Sequence, residues 1–250
     1  MAVNINSINA RNVIIGKNGN ADPFWGNVRS LVHFDDTPGT TTPFDIAGLL
    51  TWVNFNSTYN YVSNIKSKFG TGSFARTGNE YANINPSGLR TNVGAIGNVY
   101  TIEFFIQFNL FSWSNSTSNR FFYMADAALQ LYMLVQSPSP LSNGTFMFYE
   151  NQTPINHPTS AAAILNTWHY IAYCSDGTHL YIFIDGILAY THPTTFSFSL
   201  APVYLSVGAA SGVNGDYFNG FTDEFRFTSG VCRYTPASPP VIPIQPFPNF

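Results

Sequence analysis

Residues 168–190, WHYIAYCSDGTHLYIFIDGILAY, decide the fold. Three runs rich in aromatic and β-branched residues are separated by two Asp-Gly dipeptides, Asp176-Gly177 and Asp185-Gly186. Asp-Gly supplies the positive φ angles that tight hairpin turns require. The stretch therefore predicts three consecutive antiparallel strands, a β-meander.

The same period of two recurs through most of the chain, and helix signals are absent. In residues 100–108 the side chains Ile102, Phe104, Ile106 and Phe108 share one face, which predicts a strand with that face in a core. Further strands are predicted near 28–34, 49–55, 81–84, 120–125, 129–135, 144–149, 202–208 and 217–227. About a dozen strands suit two packed sheets better than one open sheet, so we expect an all-β, two-sheet antiparallel sandwich.

Extended arms are expected at both ends of this sandwich. Residues 1–24 are rich in Asn and Gly, and residues 236–250, PASPPVIPIQPFPNF, are rich in proline. Such proline density excludes a central strand and favours an extended, polyproline-like tail. The predicted organisation is an N-terminal arm (1–24), a sandwich (25–235) and a proline-rich C-terminal tail (236–250). The sequence leaves open whether the tail lies along its own domain or along a neighbour.

The composition is unusually poor in charge. Only 9% of the 250 residues are charged and the formal net charge is −3, against about a quarter charged in typical domains. Such a surface either favours self-association or is simply polar and neutral. The ten Lys and Arg residues are scattered, which argues against a nucleic-acid partner. No apolar stretch is long enough to span a bilayer and the first residues lack a secretory signal, so no membrane partner is expected.

Several segments, in order, resemble the laminin-G type of concanavalin A-like domain, in the version common in structural proteins of tailed bacteriophages, notably cyanophages. They are DPFWGNVRSLVHFD (22–35), KSKFGTGS (66–73), TIEFFI (101–106), WHY with FIDG (168–170 and 183–186) and GFTDEFRFTSGVCRY (220–234). The resemblance implies a jelly-roll sandwich in which the first and last strands lie side by side. It departs from the family pattern at Arg76, where Asp is usual, and this weakens any calcium or sugar function that uses that carboxylate.

No catalytic residues are nominated. Sandwich glycosidases use carboxylates placed on one strand face, whereas the four glutamates, at 80, 103, 150 and 224, form no such arrangement. The histidines show no zinc-ligand spacing and are expected at exposed strand positions. Cys174 and Cys232 are too few for a disulfide framework and are expected to be buried free thiols. We therefore expect a protein that is not an enzyme.

Asp223 is the candidate for a metal site. Strict alternation places it on the face of Phe221, Phe225 and Phe227, where an unpaired carboxylate is costly. Two interpretations stay open: it caps backbone amides or pairs with a cation, or it binds calcium together with Asp35. No other cofactor is expected. On the opposite face, Glu224 and Arg226 are predicted to form a surface ion pair.

Glycan binding would use aromatic, Asn and Asp side chains in loops. The candidates are Trp113, Asn214, Asp216 and Tyr217.

Two functions from different classes follow, and they do not exclude each other. The first is a non-enzymatic viral structural protein, a capsid decoration or a tail or fibre appendage subunit. It would reside in the virion, held by its arms, by other virion proteins and by copies of itself as a homo-oligomer. The alternative is a glycan-binding adhesin module that attaches a particle to host surface glycans.

Overall fold

The computed structural model describes residues 21–54, 60–77, 88–111, 119–137, 139, 141–150, 157–198, 200–208 and 219–250. These residues form fifteen strands and one short 3₁₀ helix, Trp25–Asn27. The strands are β1 Val28–Val32, β2 Trp52–Asn54, β3 Asn60–Ser63, β4 Ser73–Arg76, β5 Leu89–Asn92, β6 Val99–Leu110, β7 Asn119–Ala125, β8 Gln130–Gln136, β9 Gly144–Glu150, β10 His157–Ala163, β11 Trp168–Asp176, β12 Leu180–Ile184, β13 Ile187–His192, β14 Tyr204–Val207 and β15 Asn219–Ser229. In this described part, no helix is long and apolar enough to cross a membrane.

The strands form two antiparallel sheets. One sheet has the order β13-β12-β11-β6-β15-β4-β3, with β1 also pairing with β15 as its eighth strand. The other has the order β10-β9-β8-β7-β14-β5-β2. The pairing of β1 with β15 places the first and last strands side by side, as the family resemblance implies. The predicted all-β, two-sheet jelly-roll sandwich is confirmed.

The meander of residues 168–190 forms as its Asp-Gly dipeptides predict. Strand β11 pairs with β12, and β12 with β13. Gly177 has a φ of 92°, and Asp185 and Gly186 have φ of 52° and 80°. At the first turn the Asp176 carboxylate accepts the backbone N–H of His179 at 2.7 Å. The turn chemistry therefore fixes the register of three neighbouring strands.

The main core lies between the two sheets. The predicted set on β6, from Ile102 to Phe108, is fully buried there, and the ring of Phe104 packs on that of Phe122 with centroids 5.8 Å apart. Full burial of each such aromatic or aliphatic side chain contributes about 1.5–3 kcal/mol. The alternation within β6 therefore identifies the core face correctly.

The outer face of the eight-stranded sheet is buried as well. Phe105, Tyr170 and Phe183 pack there in a second apolar cluster. The cover includes Phe247 from the C-terminal tail. Strand β6 is thus buried on both faces, and Glu103, on its polar face, has no exposed surface.

The C-terminal tail lies along its own domain, which is one of the two alternatives left open by the sequence. Pro240 and Phe247 are buried, whereas Val241 and Ile244 between them are 87% and 91% exposed. Of the N-terminal arm, only residues 21–24 are among those described. The division of the chain into arm, sandwich and tail at residues 24 and 235 stays a prediction.

Candidate functional site

A β-bulge in the last strand creates the most polar part of the structure. The register between β15 and β6 shifts between Asp223 and Arg226, and Glu224 has a φ of 54°, which is uncommon for a residue other than glycine. Because of the bulge, Asp223 pairs with Phe105 and shares the outer face with Arg226, while Phe225 points into the core. The predicted placement of Asp223 on the face of Phe225 and Phe227 was therefore wrong.

Asp223 and Asp35 together hold a glycine-rich turn, residues 66–72. The Asp223 carboxylate accepts the backbone N–H groups of Lys68 and Phe69 at 2.7 and 3.1 Å. Asp35 Oδ1 accepts those of Thr71 and Gly72 at 2.5 and 3.1 Å. Burial, reinforced by the charge of Glu224, raises the pKa of Asp223 well above its ordinary value, although these amides act in the opposite direction.

This geometry matches the amide-capping interpretation of Asp223. The Asp35 and Asp223 oxygens named above are already engaged by N–H donors, whereas calcium takes six or more oxygen ligands. Among the described residues, no group of three or more His, Cys, Asp or Glu side chains is placed to hold a metal ion. Calcium binding by Asp35 and Asp223 stays a prediction.

Two acidic and two basic side chains form a second polar group on this face, which we name the terminal clasp: Asp22, Glu103, Arg226 and Arg233. Glu103 Oε1 accepts the Arg226 Nε–H at 2.8 Å, and Asp22 Oδ2 accepts N–H groups of Arg226 and Arg233 at 2.9 and 2.8 Å. The hydroxyls of Tyr170 and Tyr234 donate to Glu103 Oε2. The clasp side chains are at most 6% exposed, and their two negative charges balance their two positive charges.

The clasp corrects the prediction that Glu224 and Arg226 form a surface pair. Both side chains are buried, and Arg226 pairs with Asp22 and Glu103 instead. Burial of Asp22 favours its neutral form, but the hydrogen bonds from Arg233 and from the Phe24 N–H, with the charges of both arginines, lower its pKa. The clasp therefore ties the segment before the first strand to the last strand of the sandwich.

The C-terminal tail docks beside the clasp in a site that we name the tail socket, formed by His33, Glu224 and Arg226. The ring of Phe247 packs on the Arg226 guanidinium, 3.9 Å from its central carbon, and the Phe247 N–H donates to Glu224 Oε2 at 2.8 Å. His33 Nδ1 lies 2.8 Å from Glu224 Oε1, and its Nε2 lies 2.6 Å from Asn249 Oδ1. The Asp22 N–H donates to the Phe250 carbonyl oxygen at 2.5 Å, so the two ends of the described domain meet here.

The imidazole of His33 changes its protonation state with pH, and its two ring nitrogens contact Glu224 and Asn249. Both of its partners are oxygen acceptors, so an imidazolium that donates from both nitrogens satisfies both. Burial disfavours that charge, but the hydrogen bond and the charge of Glu224 outweigh burial and raise the pKa of His33. Protonation of His33 therefore strengthens the hold of the domain on its tail.

A pocket of about 300 Å³ opens beside the socket. Its polar lining comes from His33, Asp35, Asp36 and Asn249, and its apolar lining from Phe34, Phe44 and Ile46. Phe44 is 66% exposed at this pocket. The pocket thus combines an exposed aromatic ring with carboxylate, amide and imidazole groups.

The glycan candidates Trp113, Asn214, Asp216 and Tyr217 lie outside the described residues, and their role stays a prediction. The expectation of exposed histidines was wrong for His169 and His192, which are 1% and 7% exposed. The Nδ1 of His169 lies 2.7 Å from Asp185 Oδ2, and its Nε2 accepts the Ile164 N–H at 2.9 Å. His169 therefore ties the β12–β13 turn to β11.

The buried-thiol expectation matches Cys174, whereas Cys232 is only half-buried. Both thiols are free and belong to the second apolar cluster. Burial, followed by the interaction with Cys232, raises the pKa of Cys174 well above its ordinary value. The hydrogen bond with Cys174 lowers the pKa of Cys232, so the two thiols differ in acidity.

Comparisons with solved structures agree on the sandwich fold. Domain 4 of AbnA, an extracellular arabinanase from Geobacillus stearothermophilus in complex with arabinotriose, is 16% identical with a TM-score of 0.54, over 85% of this chain and 96% of that one. The binding domain of botulinum neurotoxin serotype D is 10% identical with a TM-score of 0.52, over 87% and 51% of the two chains. Trypanosoma rangeli sialidase is 10% identical with a TM-score of 0.56, over 81% and 30%. At these identities the likeness shows the fold alone, and the chain spans only about half of the neurotoxin domain and less than a third of the sialidase.

Sequence comparison identifies the family. No curated protein is significantly similar to the chain. The model of the Laminin_G_3 family, described as the concanavalin A-like lectin/glucanases superfamily, matches residues 76–233, which is more than half of the chain. The matched region runs from the end of β4 to the clasp residue Arg233, and so includes most of both sheets. The chain therefore belongs to the Laminin_G_3 family of the concanavalin A-like lectin/glucanases superfamily.

Proposed function

We propose that this protein is a non-enzymatic structural subunit of a virus particle, a capsid decoration or a tail or fibre appendage, which is held in place by its C-terminal tail and by self-association. The observation that carries this proposal is the tail itself. It is anchored by Pro240 and Phe247, yet it presents Val241 and Ile244 almost fully to solvent. Neighbouring exposed apolar side chains on a polar protein are typical of an interaction surface.

Three further features support this proposal. The tail packs against the β12–β13 turn, and Ile187, the first residue of β13, is 70% exposed, so the apolar surface extends beyond the tail. The low charge of the chain provides little repulsion between copies. The ordered motifs of residues 22–234 resemble those of tailed-phage structural proteins, and this resemblance is the basis for placing the protein in a virion.

Incorporation into particles tests the structural role. Val241→Asp and Ile244→Asp, combined in one chain, place two charges on the exposed tail without touching the tail socket. We expect this variant to fold and to be incorporated at least tenfold less than the wild type, measured by quantitative mass spectrometry of purified particles. Leu141→Asp is the matched control, because Leu141 is 82% exposed in the β8–β9 connection. Equal incorporation of both variants would contradict a role for the tail in assembly.

A second candidate function, a glycan-binding adhesin module, is favoured by the pocket beside the tail socket. Its volume of about 300 Å³ falls at the lower end of the range for small-molecule sites. Phe44 offers a ring face on which a sugar could stack, while Asp36 and Asn249 offer hydrogen-bonding groups. The carboxylates in the lining favour neutral saccharides over acidic ones. Trp113, Asn214, Asp216 and Tyr217 remain alternative glycan contacts.

An oligosaccharide array tests this candidate. The array carries neutral oligosaccharides, including the arabinotriose held by the arabinanase domain of similar fold, and matched sialylated oligosaccharides. We expect the wild type to bind neutral members, and Phe44→Ala and Asp36→Asn to weaken that binding at least tenfold. Leu141→Ala serves as the control. Binding that is unchanged in both pocket variants would place any glycan site elsewhere, and the absence of binding by the wild type would contradict the adhesin function.

A further inference from the structure

The contacts that hold the C-terminal tail are concentrated in its last residues. Phe247 contributes its ring and its N–H group, Asn249 contributes its side-chain oxygen, and Phe250 contributes its carbonyl oxygen. All the partners of these groups belong to the body of the domain: His33, Glu224 and Arg226 of the tail socket, and Asp22 of the clasp. The tail socket therefore binds a short terminal segment, and the residues that connect this segment to the sandwich take no part in these contacts.

The connecting residues, 241–246, form an arch that is only loosely attached. Within the described part of the chain, no backbone–backbone hydrogen bond joins the arch to the body of the domain, and Ile242 lies beside Gly186. Val241 and Ile244 point into solvent, and a cavity of about 550 Å³ lies between the tail and the clasp residues Arg226 and Arg233. The arch thus leaves apolar side chains exposed and a cavity with a mixed polar and apolar lining unfilled.

The arch is also stiff. Prolines occupy positions 243 and 246, and Pro240 precedes the arch. Pro240 is buried, and its carbonyl oxygen lies so close to Gly186 that a Cβ added to this glycine would be 3.0 Å from the oxygen. Proline-rich segments prefer an extended conformation, and the exchange of an identical terminal element between copies is a low-cost route to dimers. Seven residues from Pro240 to Phe247 span at most about 23–25 Å when extended, so the terminal segment can extend that far from Pro240.

We propose that the terminal segment, residues 247–250, exchanges between two copies of this chain, so that Phe247 and Asn249 of each copy occupy the tail socket of the other. The exchanged contacts are identical to those within one chain, so exchange sacrifices none of them. In addition, the two arches cross side by side, which covers Val241 and Ile244. This inference rests on the proposed structural role and specifies its partner surface as the tail socket of a second copy.

Site-specific photo-crosslinking of the full-length chain tests the exchange. A photoactivatable phenylalanine analogue replaces Phe250, which is 40% exposed and lies at the N–H of Asp22. Exchange predicts crosslinked species of twice the chain mass at high protein concentration. In a mixture of ¹⁴N- and ¹⁵N-labelled chains grown separately and then mixed, it also predicts crosslinks that join one chain of each label. Crosslinks confined to single chains at every concentration would overturn the proposal.

Two variants separate the exchange from simple self-association. Phe247→Ala removes the anchor and is expected to lower the dimer fraction at least tenfold, measured by light scattering after gel filtration. Deletion of residues 243–245 shortens the reach of the arch by about 10 Å, which disfavours closure within one chain and should increase the dimer fraction. Dimers that persist in Phe247→Ala, or a deletion variant that stays monomeric, would refute the exchange. Incorporation of Phe247→Ala into particles at wild-type levels would leave the structural role standing while removing exchange as its mechanism.

Discussion

Replacing Glu103 with Gln tests the physical account of the terminal clasp. Glu103 is fully buried, its Oε1 lies 2.8 Å from both Nε and Nη2 of Arg226, and its Oε2 accepts two tyrosine hydroxyls. Gln has nearly the same shape but no charge, so two buried arginines would face Asp22 alone. Loss of one partner from a buried ion-pair network costs about 3–5 kcal/mol.

The expected loss is large compared with the stability of a typical domain, which is about 5–15 kcal/mol. For a protein of this size, each kcal/mol corresponds to roughly 2–4 °C in the melting temperature, so a decrease of about 6–20 °C is expected. Urea unfolding followed by tryptophan fluorescence measures the free energy directly. The control Arg29→Gln removes an exposed charge and should change stability by less than about 0.5 kcal/mol. A loss below about 1 kcal/mol for Glu103→Gln would refute the claim that the clasp is a tightly coupled buried network.

Three further predictions follow from the same region. Because the pKa of His33 is raised in the folded protein, its contribution to stability is complete below about pH 6.5 and is lost as the pH rises through the raised value. Proteolysis at the tail should therefore be faster at pH 8.5 than at pH 5.5, and His33→Gln should remove the difference. Gly70→Ala should lose about 1–3 kcal/mol, since its Cβ would lie 2.2 Å from a carboxylate oxygen at a φ of 59°. In contrast, Gly48→Ala, with a φ of 68° and open space around it, should lose only about 1 kcal/mol in the same urea assay. Because the pKa of Cys232 is lowered and that of Cys174 is raised, a disulfide exchange reagent should react quickly with Cys232 in the native protein and with Cys174 only after unfolding. Equal rates for both thiols in the native protein would contradict this assignment.

The sandwich could be predicted from sequence because its long strands alternate and its turns carry Asp-Gly. Strand β6 and the meander β11–β12–β13 show both signals, and most of the other predicted strands occur within a few residues of their expected positions. Strands β3, β4 and β5 were missed because each combines a length of four residues with at most two large apolar side chains, and β10 was missed because its start is polar. The predicted strand at 81–84 lies outside the described residues.

The polar groups could not be placed in the same way. A one-residue bulge at Glu224 reverses the facing of every residue on one side of it, and alternation gives no sign of such a bulge. The burial of Glu103 and Arg226 depends on a cover supplied from both ends of the chain, by Asp22 and Phe247. One signal was present: in a regular strand the adjacent carboxylates of Asp223 and Glu224 point to opposite faces, so one of them would enter the core unless a bulge intervenes.

The copy number of this chain in purified virus particles from its source tests the central claim most directly. Quantitative mass spectrometry against isotope-labelled peptides of this chain gives this number per particle. A structural role predicts a fixed, reproducible stoichiometry: hundreds of copies for a capsid decoration, and a handful to a few dozen for a tail or fibre subunit. Particles that contain none of this chain would contradict the proposed function.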